Sequence, residues 1–185
     1  MIGKHPARLW QRLLVPTFLR LFAAYGRRTG LFERAKLRPP ELTIGPAADP
    51  QTSRYLLWKW HGWQMVLHHW HRSDHDRALH DHSGDSWSYI LEGRYAEVFS
   101  HRWESFHAEN RMAGDICFRR GQTPHRVMLP PGYDGRVWTL WFRMPPRREW
   151  GFWCPKGWRH NSDYITNRDY YYYASKQSEV GRGCD

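Results

Sequence analysis

Three histidines carry the first chemical signal in this 185-residue chain. His80 and His82 stand two apart in the stretch Arg77-Ala-Leu-His-Asp-His-Ser-Gly-Asp-Ser86, so on a strand both imidazoles take one face. His125 follows the run from Gly114 to Pro124, on what reads as another short strand. Three such rings cap one side of a metal ion and leave its other positions open, as in a reactive or ligand-binding site and not a closed structural one. Imidazole suits several ions; iron is favoured here, with zinc, nickel, manganese and copper as alternatives. Asp81 lies between the first two ligands and points away on an ideal strand. Asp85 and Ser86 are the candidates for supporting the imidazoles from behind. Three neutral rings leave the ion its full double charge, which favours an anionic or thiolate ligand. Guanidinium groups bind carboxylate or phosphate in a two-pronged fashion. Arg77 and Arg119 are the candidates for that task, and Tyr89 for a further substrate contact.

The elements that must position these residues read as strands. From Tyr55 onward, β-branched and aromatic residues alternate with polar ones. Strands are expected over Trp63–His71, Trp87–Leu91, Arg94–Ser100, Asp115–Phe118, Arg126–Leu129, Val137–Phe142 and Glu149–Trp153. Gly93 suits a tight turn with positive φ between the second and third of these. The alternation of Trp63–His71 groups Met65, Leu67, His69 and His71 on one face, so His69 and His71 are weaker candidates for lining the same cavity. The tryptophans from Trp138 to Trp158 read as packing residues, since the strand region is too nearly neutral for a single-strand nucleic-acid groove.

The net charge of +10 is unevenly placed: residues 1–40 hold nine Lys or Arg against one acid, whereas the remainder is close to balanced. Leu9, Leu13, Leu14, Phe18, Leu21 and Phe22 recur at helical spacing, and Pro16 should kink or split that helix. The division expected is a basic helical arm and linker over 1–50, a β-barrel over 51–165 and a polar tail over 166–185, flexible from Ser175. Three cysteines give no disulfide framework and fit a reducing compartment. With no apolar run of membrane-spanning length and no signal-peptide pattern, the cytoplasm is the expected location.

The spacing of these blocks resembles the two motifs of the cupin superfamily. His80-Asp-His82 with Gly93 eleven residues on matches the first, and Gly114 with His125 matches the second. The resemblance covers roughly residues 55–145. It implies an all-β, cupin-type double-stranded β-helix (a jelly-roll barrel) whose motif histidines hold a metal. The family's glutamate ligand falls at Ser86, or at Trp87 in the longer spacing; the first motif's opening glycine falls at Asp74, and the second motif's Pro-x-Gly at Arg120-Gly121-Gln122. The resulting three-histidine set is similar to that of the thiol dioxygenase branch, cysteine dioxygenase among them. The His-Asp-His block and Arg148–Trp153 also resemble small cupin-like proteins of phage and bacterial genomes. The expected function is a mononuclear metal-binding cupin, acting as an iron-dependent dioxygenase on a small anionic or thiol-bearing substrate. The alternative is a non-catalytic barrel whose basic arm docks a partner, a membrane surface or nucleic acid. A homodimer is expected by analogy with the family.

Overall fold

The computed structural model describes residues 9–45, 49–74, 78–100, 105–164 and 184; Arg77 and the expected flexible tail, apart from Cys184, lie outside them. The chain divides into two compact units, Met1–Arg38 and Pro39–Asp185.

In the first unit, α1 (Leu9–Arg28) is followed by α2 (Leu31–Lys36) across Gly30, whose φ of +66° is open to glycine at no steric cost. The helix α1 runs through Pro16, so of the two outcomes expected there, a kink or a split, the split does not occur. Proline deletes one rung of the hydrogen-bond ladder, and a 20-residue helix retains the others. Phe32 of α2 lies so close to Gly26 that a Cβ there would meet its ring at 2.5 Å. Val15, Leu19 and Ala23 are buried, while Leu14, Phe18, Leu21 and Tyr25 form an exposed stripe at helical spacing.

The second unit is an all-β, double-stranded β-helix. Its strands are β1 (Leu42–Ile44), β2 (Thr52–Trp60), β3 (Trp63–Trp70), β4 (Leu79–His80), β5 (Ser86–Glu92), β6 (Arg94–Phe99), β7 (His107–Met112), β8 (Ile116–Arg119), β9 (His125–Met128), β10 (Val137–Arg143), β11 (Gly151–Cys154) and β12 (Gly157–His160), with a closing turn of helix α3 (Asn161–Tyr164). They form two six-stranded sheets, ordered β1-β2-β3-β10-β5-β8 and β12-β11-β4-β9-β6-β7, with every pairing antiparallel. From β3 to β5, and again from β7 to β11, the chain crosses to the other sheet at each step, which makes two sheets out of one winding ribbon. Gly93 turns β5 into β6 at φ +77°, and a Cβ there would lie 2.6 Å from the Arg136 carbonyl.

Period-two alternation decides what lies between the sheets. Ile90, Cys117 and Val137 of one sheet meet Tyr95 and Val127 of the other in a buried cluster. Beside it the two sheets part around a cavity of about 740 Å³. Strands β1, β2, β7 and β12 are not among the strands expected from sequence: β1 is three residues long, and β7 is an almost wholly exposed edge with no apolar face to signal it.

Cys154 and Cys184 form a disulfide, against the expectation of no disulfide framework. Thirty residues separate them in sequence, so no local spacing announced the pair. The bond also removes the argument for a reducing compartment. Among the described residues no helix is long and apolar enough to cross a membrane.

Candidate metal centre and its cavity

His80 ends β4 and pairs directly with His125, which begins β9; His82 stands two residues beyond β4, in the loop and not on the strand expected for it. That loop is anchored instead by its backbone: the His82 N–H donates to the Gly121 carbonyl at 2.7 Å, and Arg148 donates to the His82 carbonyl at 3.2 Å. Gly121 has no room for a side chain, since a Cβ would lie 2.8 Å from the His82 carbonyl oxygen. The two loops carrying the motif histidines are thereby locked together.

One ring nitrogen from each of His80, His82 and His125 lies within 4.8 Å of the other two. The Nε2 atoms of His82 and His125 are 2.8 Å apart. Two nitrogens bound at about 2.1 Å and at right angles on one ion stand about 3.0 Å apart, so this pair is already at ligand separation. Burial first, and then the neighbouring His80, His125, Arg119 and Arg54, hold His82 well below the ordinary histidine pKa; burial, Arg119 and His80 do the same for His125. Neutral rings are the form that binds metal.

The support behind the rings differs from expectation. Asp85 uses its carboxylate to accept from the Gly121 N–H at 2.8 Å, so it braces a loop and not a ring. Ser86 is almost fully buried in register with Arg119 and Arg143, and it is Ser88, two residues on, that lines the cavity. Glu97, fully buried on β6, instead places Oε1 2.6 Å from His125 Nδ1. A ring proton on Nδ1 would face that carboxylate and leave the His125 Nε2 lone pair to the site. Asp74 stands behind His80 at 3.9 Å from Nδ1 and accepts from the Val127 N–H and from Gln51. The signal for Glu97 was in the sequence: Tyr95, Glu97 and Phe99 share one strand face, and a carboxylate between two aromatics on a buried face needs partners.

Arg119 lines the cavity but its guanidinium is paired with Glu97, which Arg111 also approaches at 3.5 Å. Burial works against the Arg119 charge, yet Glu97, with Cys117 and Tyr95 adding, outweighs it and raises the pKa. Its charge is therefore already matched inside the protein. Tyr89 takes the strand face opposite Ser88 and does not line the cavity, and Arg77 falls outside the described residues. On β3 it is His68 and Trp70 that line the cavity; His69 stacks on Trp138 and meets the Gly135 carbonyl, and His71 meets Ser53. The alternation holds, and the weaker candidates His69 and His71 lie on the face away from the cavity.

Asp81 does point away from the rings. It is fully buried and accepts from the Gly151 N–H, from the indole N–H groups of Trp153 and Trp158, and from Arg148. It ties β11 and β12 to the histidine loop. Trp141 and Trp150 line the cavity with Phe152, and Phe152 in turn stacks on Tyr164 at 3.8 Å.

No family model matches the sequence, and no curated protein matches it. Solved structures similar to this chain include hydroxypropylphosphonic acid epoxidase from S. wedmorenis, at 17% identity and a TM-score of 0.46, covering 58% of this chain and 57% of that one. A second is the iron(II) form of that epoxidase with an alternative substrate, at 15% identity and a TM-score of 0.43, covering 50% and 49%. A third is a cupin superfamily protein from Desulfitobacterium hafniense, at 15% identity and a TM-score of 0.40, covering 51% and 78%. The chain spans about half the length of the epoxidase structures it matches.

Proposed function

We propose that this chain is a mononuclear metal-binding cupin enzyme in which His80, His82 and His125 hold one divalent ion, iron favoured, with positions left open to an anionic substrate. The observation that carries this reading is the 2.8 Å approach of two neutral Nε2 atoms, with a nitrogen of the third ring within 4.8 Å of both, on the wall of a large cavity. Among the described residues no carboxylate joins the three rings in that cluster. A bound iron ion would supply oxygen activation or Lewis-acid polarisation. The protein's own part is to keep His82 and His125 neutral by burial, to set Glu97 behind the His125 ring, and to line the cavity beside the rings with Trp141, Trp150 and Phe152. The three-histidine donor set supports the thiol dioxygenase-like branch; the cavity volume is more than a cysteine-sized molecule needs and supports a larger substrate.

The test is metal content after purification and anaerobic iron loading, measured alongside His82→Ala. About one equivalent per chain is expected in the parent and a large loss in the variant. Absence of bound metal in the loaded parent overturns the proposal.

A second contact belongs to the first unit. The stripe Leu14, Phe18, Leu21 and Tyr25 is 46–67% exposed, and Arg20, Arg27 and Arg28 are exposed on the same helix. Apolar side chains beside arginines suit an anionic lipid surface. Self-pairing would set two arms of the same high positive charge against each other.

A further inference from the structure

The cavity holds cationic groups that the metal site does not use. Arg54 on β2 and Arg143 on β10 both line it, and both guanidinium carbons approach the ring of Trp141, at 5.6 Å and 5.9 Å. His68 lies across the strand pair from Arg54 and 5.1 Å from the same indole. The Trp141 ring is also 6.2 Å from His82, so one indole connects this basic group to the candidate metal centre.

The Nε of Arg143 and the Nε2 of His68 are buried without a hydrogen-bond partner among the described residues. Arg143 has no carboxylate in ion-pair contact among the described residues, unlike Arg119, which shares Glu97 with Arg111. Burial alone lowers the Arg143 pKa, and no neighbouring anion restores it. A half-buried cation with an unmet donor, facing a cavity, is costly unless something negative enters.

We propose that Arg54, His68 and Arg143, grouped around Trp141, form the seat for an organic oxyanion, and that the cavity's ligand is a carboxylate, phosphonate or phosphate carried on a flat apolar body. The body follows from the walls: Trp70, Trp150 and Phe152 line the remaining space, which falls in the range that encloses a drug-sized ligand. The faces of Trp70, Trp150 and Phe152 accept a flat body by stacking, while the guanidinium groups over the Trp141 ring meet the oxyanion. The inference deepens the metal-enzyme reading by naming its substrate class, and the anion seat does not include the three metal histidines.

The probe pair is 2-naphthoate and its neutral isostere 2-naphthamide, titrated by calorimetry into the full chain, into Arg54→Gln and Arg143→Gln, and into His82→Ala. The parent should bind naphthoate at least about tenfold more tightly than naphthamide, and either arginine variant should erase about that preference while leaving naphthamide binding unchanged. Arg143→Lys should recover part of it, because the charge returns without the fork. His82→Ala should lose metal and keep the preference for naphthoate, so loss of metal binding and loss of anion binding are read separately. Equal affinity for the two probes, no binding of naphthoate, or an undiminished preference in Arg143→Gln that retains its circular dichroism overturns the anion seat.

Discussion

The residue on which most of the site's order depends is Glu97. It is fully buried, it meets Arg119 and Arg111, and it sits 2.6 Å from His125 Nδ1. Its neutral isostere Gln would leave Arg119 buried with no matching charge and would free the His125 ring to turn. Glu97→Gln is therefore expected to destabilise the fold by about 3–5 kcal/mol, as for breaking one side of a buried pair, and to weaken metal binding by about 10–100-fold. Urea unfolding and a competitive chelator titration measure the two effects. Asp85→Asn serves as the contrast: that carboxylate braces Gly121, so metal affinity should change far less than in Glu97→Gln. At this scale the sequence marked the histidines that cluster and Glu97 as a carboxylate in need of partners, but not which ring Glu97 stands behind. Same-face spacing picks out His80 and His82, whereas Glu97 reaches His125 only because β6 and β9 are neighbours.

At the scale of elements, the wall made by β11, β12 and α3 depends on contacts that no strand pattern announces. Asp81 collects two indole N–H groups, one backbone N–H and Arg148. Asp81→Ala strands several buried donors at once and should cost at least about 2 kcal/mol, with a change in tryptophan fluorescence as Trp153 and Trp158 lose their acceptor. The Cys154–Cys184 bond fastens the far end of the chain to the same strand. Closing a loop of that length constrains the unfolded chain by about 3–4 kcal/mol in the chain-entropy model, so Cys184→Ser or reduction should lower the melting temperature measurably. An unchanged melting point on reduction would show that the bond adds nothing to the wall.

For the whole molecule, the direction of the pH response follows from the cavity's histidines. His68, His82 and His125 all have pKa values lowered well below 6.5, with burial the leading cause in each. Below that pH the unfolded chain takes up protons that the folded cavity refuses. Stability is therefore complete above about pH 6.5 and falls as the pH drops, by up to about 1.4 kcal/mol per pH unit for each histidine. Denaturant unfolding of the metal-free protein between neutral and mildly acid pH should show that slope, and His68→Asn should remove one histidine's share. The exposed stripe of α1 acts at this scale too. Leu14→Ser with Leu21→Ser should abolish co-sedimentation with phosphatidylserine vesicles at low salt, while vesicles of neutral lipid should not bind the parent chain.

The sequence by itself determined the β-barrel, the turn at Gly93 and the three histidines that cluster, because side-chain period and turn chemistry are local properties written residue by residue. Tertiary structure alone decided which face of β3 is the inner one, which carboxylate backs His125, which arginines border the cavity and which cysteines join. Each of these depends on strand order and on where the two sheets part. Adjacent residues such as His68 and His69 read alike in a sequence and face opposite ways once the sheets are paired.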